Sequence, residues 1–578
     1  MLFVITAVFG QKNKGFNHQL SGKKVPWTSE PVISGDNYRF VIIGDLTGGQ
    51  EPGVFDYAID RINDLAPDFV ITVGDIIEGY STDSTEIERQ WQDFSRTLDR
   101  LEAPFFAVPG NHDVTTNLML ELWQQHWGFD YYSFYVGESL FVVLNSTEPG
   151  VDGFSDAQVE YVHSVFLTHP VGSSAFVFVH DPFYEMVVKQ GYTELNSIFS
   201  NHKVTFFCGH EHRYQYREIE KSKHFMLAAL ASGGAGMRGS TLGEFHNLMQ
   251  VAVKNDQMKI ANIELEGLLP QNIVNSTNIV EVDILRGANW AQIVPTVKNS
   301  QIAQQFESIL LLENKGNFPL EISSEFQIAA QLSIHPSTIE MVLQPKEISQ
   351  VPLRLFSELP VNIEDLPEIK LNLNGRFALE NEVIDAISEP EWVIDYLRES
   401  FHCDEDILPG KWEKPALVEE VWDWDGLTDG SFALNVCHDS QVVSINIRIQ
   451  DDNLVEADSL NLKGDRMKVF VHPDMAGRGE PTVFEFEHGG QSSKGFGTTR
   501  MAKETVTNME KQAGLLKIVL AIPRKFFLGN SFRMNLAYED VDIPTNMDHA
   551  VIWWKPQWES KNDYAQSGVI SLAQSGGD

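Results

Sequence analysis

Phe105-Phe106-Ala107-Val108-Pro109-Gly110-Asn111-His112-Asp113 runs four apolar residues into a turn, then into an amide, an imidazole and a carboxylate. Alternate residues of an extended strand face opposite ways, so a strand cannot aim three successive side chains at one place. A tight loop can, and Pro109-Gly110 supplies the turn chemistry. Asn111 offers an oxygen to a cation, and His112 can exchange a proton near neutral pH. Asp113 can hold that imidazole in one orientation. Taken alone, the stretch reads equally well as a polar loop between a strand and a helix, with Asn or Asp capping the helix.

The same order recurs on both sides of it. Residues 40–43 are apolar and run into Gly44-Asp45-Leu46-Thr47-Gly48-Gly49, and residues 69–73 run into Gly74-Asp75. Residues 140–144 precede Asn145-Ser146, 175–179 precede His180-Asp181-Pro182, and 204–207 lead through Cys208 into Gly209-His210-Glu211-His212. Between these runs Phe55, Ile59, Ile62 and Leu65 recur at helical spacing, as do Ile87, Trp91, Phe94, Leu98 and Leu101. Ser155-Asp156-Ala157-Gln158 has the form of a capping box ahead of Val159, Val162 and Phe166. Residues 78–86, 114–126 and 183–193 read as loops. Strands alternating with helices predict an α/β domain, and uninterrupted apolar strands predict sheets covered on both faces. Asp45, Asp75, Asn111, His180 and His210 each follow the C-terminal end of a predicted strand, the edge where open α/β sheets bind ligands. Five metal-capable residues from five strands are therefore expected to converge.

The chain has 578 residues, too many for one core. Its formal charge of -38 repels phosphate backbones and anionic lipid, and no basic patch offsets it. Nucleic-acid binding is not expected, and a phosphorylated substrate would need metal cations for charge balance. Of three cysteines, Cys208 reads as a buried small hydrophobe. Cys403 and Cys437 could pair in an oxidising compartment or remain two thiols. The opening run from Met1 to Gln11 is too short to span a bilayer and resembles a signal-peptide core without its basic start. No other segment is long and apolar enough to be transmembrane. The expected location is secreted or periplasmic.

After His212 short antiparallel strands are expected at 214–220, 225–229, 248–253 and 259–265, with Ser232-Gly233-Gly234-Ala235-Gly236 as a loop. From about residue 278 helix periodicity fades. Strand-like segments at 308–313, 320–326, 330–335, 338–342, 350–355 and 368–373 have the spacing of a small sandwich. A third region, 396–562, again reads as all-β. Its Trp422, Trp424, Trp553, Trp554 and Trp558 are candidates for sugar stacking or for core packing. The expected division is a lead-in at 1–36, an α/β domain at 37–270, β-sandwiches at 278–394 and 396–562, and a frayed tail at 563–578.

In order and spacing, Gly44-Asp45, Gly74-Asp75, Gly110-Asn111-His112-Asp113, His180 and Gly209-His210-Glu211-His212 resemble the calcineurin-like metallophosphoesterases, over roughly residues 37–270. The resemblance implies two β-sheets packed into a sandwich flanked by helices, with two divalent metals at the strand ends. Imidazole, carboxylate and amide oxygen suit manganese, iron or zinc. By resemblance Asp75 bridges the two ions, Asn111, His180 and His210 complete one site, and Asp45 and His212 belong to the other. The family's first motif is usually Asp-x-His, and here it is Asp45-Leu46-Thr47. Thr is a poor ligand, so the first site is expected to be weak, with Glu78 and Tyr80 as candidate substitute ligands. The third region is loosely similar to family 9 carbohydrate-binding modules, through Trp422-Asp423-Trp424-Asp425-Gly426, Asp451-Asp452-Asn453 and Gly464-Asp465-Arg466-Met467. The middle sandwich resembles immunoglobulin-like linkers in strand spacing alone, which says nothing of function.

The expected function is metal-dependent hydrolysis of a phosphate ester. A hydroxide held by two metals about 3.5–4 Å apart attacks phosphorus, His112 protonates the leaving alcohol and Asp113 orients His112. One alternative is a catalytically lapsed scaffold in an exported carbohydrate-binding or adhesion protein. Another is a phosphodiesterase, nucleotidase or phosphoprotein phosphatase on the same metals. The expected partners are a phosphoester substrate and, through the third region, carbohydrate.

Overall fold

The computed structural model describes residues 15–33, 37–232, 237–255, 257–265, 267–326, 328–380, 382–402, 417–419, 430–451, 465–473, 481–487, 500–512, 515–527, 529–540, 550–554 and 567–572. The signal-like opening run, Cys403, Trp422, Trp424 and Trp558 lie outside them. Two compact units are present: residues through Gly287 with Gly316–Pro319 and Arg376–Ala386, and the remainder.

The first unit holds two sheets. Strands β1 (Phe16–His18), β2 (Asn37–Ile43), β3 (Phe69–Thr72), β4 (Phe105–Phe106), β5 (Tyr132–Val136), β6 (Ser139–Val143), β7 (Ser174–Phe178), β8 (Lys203–Cys208), β9 (Gln215–Ile219), β10 (Ser222–Met226), β11 (Asn247–Lys254), β12 (Gln257–Glu264) and β13 (Gly267–Leu269) divide between them. One runs β1-β5-β6-β7-β8-β10-β9 and the other β13-β12-β11-β2-β3-β4. The strands that carry the expected ligands form parallel ladders, β2·β3·β4 in one sheet and β6·β7·β8 in the other, so their C-terminal ends lie on one edge.

Period-two alternation explains why these strands read as unbroken apolar runs. Phe40, Ile42, Phe69, Ile71 and Phe106 meet Phe134, Phe141, Val143, Phe176, Phe178 and Phe207 in a core between the sheets. The intervening Val41, Ile43, Val70 and Phe105 face helices α1 (Val54–Leu65), α2 (Ser84–Leu98) and, past the short α3 (Asn111–Val114), α4 (Asn117–His126). On the other sheet Leu140, Val142, Ala175, Val177, Val204 and Phe206 face α5 (Asp156–Phe166) and α6 (Tyr192–Phe199). This is the expected sandwich of two sheets flanked by helices.

Several local expectations are corrected. Within the expected loop at 114–126, residues 117–126 are a helix that buries Met119, Leu122 and Trp123, and the expected loop at 183–193 gives way at Tyr192 to a helix that buries Leu195 and Phe199. Ser155 precedes α5 but makes no side-chain cap. Gln158 instead accepts from Asn145 N (3.0 Å) and donates to Asn145 O (2.9 Å), fastening the loop after β6. A further helix, α7 (Ile279–Arg286), follows residue 278 and belongs to the first unit. No helix among the described residues is long and apolar enough to cross a membrane.

The second unit is mostly β. Ala291–Ile293, Ile302–Glu313, Ile348–Asn362 and Leu332–His335 form one sheet, and Leu320–Glu325 pairs with Thr338–Leu343. The strand expected at 368–373 begins instead at Leu373. Further on, two sheets enclose Leu434, Ile445, Ile447, Val469, Leu520, Leu536 and Trp554. Trp554 is core, 1% exposed, and not a sugar platform. Residues 568–571 are not frayed, since Gly568–Ser571 pairs antiparallel with residues 531–534 and Val569 and Ile570 are buried. Cys437 is disulfide-bonded rather than a free thiol, and Cys208 is free and buried.

Candidate metal centre

At the shared edge each strand has to turn sharply so that its last polar side chain points back over the sheets. Asp45, Asp75, Tyr80, His210 and His212 do this with positive φ, at 49°, 55°, 49°, 75° and 48°. Left-handed backbone in non-glycine residues costs of order 1–3 kcal/mol each and collects at functional sites. Two glycines permit the close approach. A Cβ on Gly110 would lie 2.2 Å from Asp75 Oδ1, and one on Gly209 would lie 2.4 Å from Asp45 Oδ2.

Both carboxylates are held by one oxygen. Asp45 Oδ1 accepts from His210 N (3.0 Å), while its buried Oδ2 has no hydrogen-bond partner. Asp75 Oδ1 accepts from His112 N (3.0 Å), while Oδ2 lies 3.2 Å from His180 Nε2 and 4.0 Å from His112 Nε2. The imidazoles follow the same rule. His180 Nδ1 donates to Val73 O (2.9 Å), which turns Nε2 inward, 2.8 Å from Asn111 Oδ1. Ser232 Oγ donates to Gly48 O (2.6 Å), so it accepts from His212 Nδ1 (3.1 Å) and leaves His212 Nε2 facing Asp45 Oδ1 at 3.9 Å. His210 Nε2 points to Asp181 (3.7 Å), with Nδ1 inward, 2.9 Å from Asn111 Oδ1 and 3.2 Å from His180 Nε2. A ring nitrogen anchored outward with its partner presented inward is the usual arrangement of a metal-ligating histidine.

The inward atoms are acceptors facing acceptors, which calls for positive charge. Burial pushes the Asp45 carboxyl up to about 7, with Asp75 adding to the shift. Burial would raise Asp75 as well, but His180 outweighs it and holds that group down to about 2. Burial would lower His180, yet Asp75 and Asp45 drive it well above its usual range. A proton on His180 thus answers the charge that a cation would answer. Asp45, Asp75 and His212 bring their ligand atoms within 4.8 Å of one another. Asn111, His180 and His210 gather beside them, with Asn111 Oδ1 2.8 Å from His180 Nε2 and 2.9 Å from His210 Nδ1. All six expected ligands meet at one edge, and the donor set fits divalent metal.

Other expectations are redirected. Asp113 does not hold His112. As the third residue of α3 it reaches back to Gly110 N (2.8 Å) and accepts from Ile76 N (2.9 Å) and Ile77 N (3.2 Å), the capping role open to it from the start. Burial, reinforced by Asp75, pushes its carboxyl up to about 8 against those three bonds. His112 Nδ1 donates instead to the Glu78 carbonyl (2.7 Å). Glu78 and Tyr80, the candidate substitute ligands, are both engaged in hydrogen bonds. The Glu78 carboxylate accepts from Gly48 N (3.2 Å) outside the Asp45–Asp75–His212 group, and the Tyr80 hydroxyl accepts from Asn111 Nδ2 (2.6 Å). Thr47 is buried with its hydroxyl unpartnered. Ser232 and the Val73 and Glu78 carbonyls escape sequence reading. A serine in a loop carries no spacing signal, and carbonyls carry no side-chain signal at all.

Two clefts adjoin the centre. One of about 330 Å³ lies beside His210, lined by Asp152, Asp181, Glu185 and Glu211 against Lys189. The other, about 390 Å³, lies beside Thr47 and Glu78 and includes Asp56, Glu86 and Asp93 against Arg89 and Arg96.

The chain is similar to known proteins over part of its length. Over 105 residues the chain is 37% identical to the serine/threonine-protein phosphatase CPPED1 of Rattus norvegicus, covering 17% of this chain and 33% of that protein. The Homo sapiens CPPED1 is 36% identical over 115 residues, 18% of this chain and 36% of its own length. The chain spans about a third of the length of these curated relatives. Among solved structures it is similar to a 5'-nucleotidase from Candida albicans SC5314, at 12% identity and TM-score 0.27 over 47% of this chain and 62% of that one. It is also similar to a family 9 carbohydrate-binding module from Caldicellulosiruptor kristjanssonii in complex with glucose, at 10% identity and TM-score 0.26 over 31% and 97%. Both scores are too low to carry an argument. The model of the calcineurin-like phosphoesterase family matches residues 38–214, and this part of the chain is a calcineurin-like phosphoesterase domain.

Proposed function

We propose that the chain hydrolyses phosphate esters at the edge where Asp45, Asp75, Asn111, His180, His210 and His212 meet. The observation that carries the reading is the set of three imidazoles turned inward onto two buried carboxylates and an amide oxygen, two of them held by an outward hydrogen bond from the other ring nitrogen, His180 on Val73 O and His212 on Ser232, with His210 Nε2 3.7 Å from Asp181. Two divalent cations, when bound, supply Lewis acidity toward phosphoryl oxygens and lower the pKa of water. Asp75 would hold the ions together with its charge, and Asn111 would offer its side-chain oxygen to them. His112, with Nδ1 fixed on the Glu78 carbonyl, places Nε2 4.0 Å from Asp75 Oδ2 and is the group that protonates the departing alkoxide. The name of the curated relatives, a serine/threonine-protein phosphatase, supports phosphomonoester chemistry. The match covers a third of those proteins and carries over the bond cleaved rather than the identity of the alcohol. Contact with carbohydrate through the third region rests on its sequence motif alone.

The test is turnover of p-nitrophenyl phosphate by full-length protein, stripped with chelator and then reloaded with Mn²⁺. Activity that vanishes on stripping and returns on reloading is the expected result. Folded protein that takes up two equivalents of Mn²⁺ and turns over neither mono- nor diesters would make this domain the lapsed scaffold.

A further inference from the structure

An asparagine amide has two ends of nearly equal shape, and only the oxygen end suits a cation. Asn111 Oδ1 lies 2.8 Å from His180 Nε2 and 2.9 Å from His210 Nδ1, so its NH₂ points away from the ligand cluster and needs an acceptor behind it. That acceptor is the Tyr80 hydroxyl, 2.6 Å from Asn111 Nδ2. The same ring stands edge-on to the His112 imidazole, with centroids 4.7 Å apart and an interplanar angle of 70°. The neighbours of Tyr80 close on the same histidine. The Glu78 carbonyl takes His112 Nδ1, and Gly79 packs so tightly on His112 that a Cβ would lie 1.7 Å from the His112 carbonyl oxygen. Gly79 N is itself tied to Gln90 Oε1 (2.8 Å), which roots the segment on α2. Tyr80 reaches its place through a left-handed backbone, φ 49°, that a tyrosine adopts only where its surroundings hold it there.

We propose that Tyr80 is a positioning residue with two separable tasks. Its hydroxyl fixes which end of the Asn111 amide faces the metal centre, and its ring fixes the orientation of His112. The second task rests on the phosphoesterase reading above, and the first does not. Neither task makes Tyr80 a metal ligand, so its loss should weaken binding without removing a coordination position.

The experiment uses full-length protein and two variants. Tyr80→Phe keeps the ring and deletes the hydroxyl, and Tyr80→Leu deletes both. Mn²⁺ affinity is read by titration with electron paramagnetic resonance of the free ion. The rates on an aryl and an alkyl phosphate are compared at saturating Mn²⁺. Removing a partner behind a ligand lowers metal affinity about 10- to 100-fold. Tyr80→Phe should show that loss for one Mn²⁺ equivalent and an unchanged aryl-to-alkyl rate ratio. Tyr80→Leu should show the same binding loss and a raised ratio, because a wandering imidazole hurts the poorer leaving group more. Wild-type affinities for both equivalents in Tyr80→Phe would overturn the hydroxyl's role. A wild-type ratio in Tyr80→Leu would overturn the ring's role. If the Leu variant fails to fold, the isosteric Phe variant still decides the first claim. If the native protein has no turnover, the phosphoesterase reading fails while the titration still tests the hydroxyl.

Discussion

Ser232→Ala tests how the first metal site is held. Ser232 is fully buried, donates to Gly48 O at 2.6 Å and accepts from His212 Nδ1 at 3.1 Å. Because its own proton is committed to Gly48, the serine oxygen can only accept from the ring, which fixes the tautomer and leaves Nε2 with its lone pair toward Asp45. Burial, ahead of the surrounding charges, holds His212 below its usual range, so the ring is neutral at pH 7 and can ligate. Alanine would leave the Nδ1–H and the Gly48 carbonyl without this partner in a part-buried site. An unpartnered buried donor costs about 1–3 kcal/mol, or about 5- to 150-fold in affinity, which overlaps the roughly 10- to 100-fold typical of lost outer-shell partners. Calorimetric titration of stripped protein with Mn²⁺ should therefore show one of two equivalents weakened by one to two decades, with the other unmoved. Ser232→Thr, which retains the hydroxyl, should restore it. Wild-type affinities in a folded Ser232→Ala protein would refute the tautomer argument.

Three further outcomes are expected. His112→Asn should retain metal and lose rate by about 100- to 10,000-fold on alkyl phosphates, with a smaller loss on nitrophenyl phosphate. An equal loss on both would count against the acid role. The clefts beside the centre carry more carboxylates than cations, so esters of neutral or cationic alcohols should show higher kcat/KM than esters bearing extra negative charge, by a margin that shrinks with salt. A preference for polyanionic esters would contradict this. His224 is buried against Phe206, with ring centroids 4.5 Å apart, and burial pushes its pKa down to about 4. A depressed imidazole contributes stability above its unfolded value of about 6.5 and loses it as pH falls toward 4. Urea denaturation should show the wild type losing about 2 kcal/mol more than His224→Phe between pH 7 and pH 5. Parallel losses in the two proteins would exclude His224 as the source.

What the sequence made legible was the edge. Five strands ending in metal-capable residues predicted a convergence that the parallel ladders β2·β3·β4 and β6·β7·β8 produce. Helices α1 and α2 were readable because their apolar stripes are long. Helices α4 and α6, of 10 and 8 residues, were not, since so short a period looks like an irregular loop. Asp113 was misjudged because a carboxylate beside a histidine in sequence invites pairing, whereas one turn of helix swings it onto backbone amides. Strand Gly568–Ser571 was hidden in a polar C-terminal composition, although Val569, Ile570 and Leu572 fill a core. The anchors of His180, His212 and His112 are a carbonyl, a serine and a carbonyl brought from distant segments, and only the tertiary fold reveals them.

The central claim is that one buried carboxylate joins two cations and that hydrolysis depends on the pair. Asp75→Asn keeps the shape, lets Oδ1 still accept from His112 N, and removes the charge that both sites share. The decisive measurement is bound metal per chain, by elemental analysis after gel filtration, together with turnover of an aryl phosphate by the same sample. The account predicts fewer than two equivalents in the variant and activity near background. A folded, metal-poor Asp75→Asn protein that turns over at the native rate would contradict it.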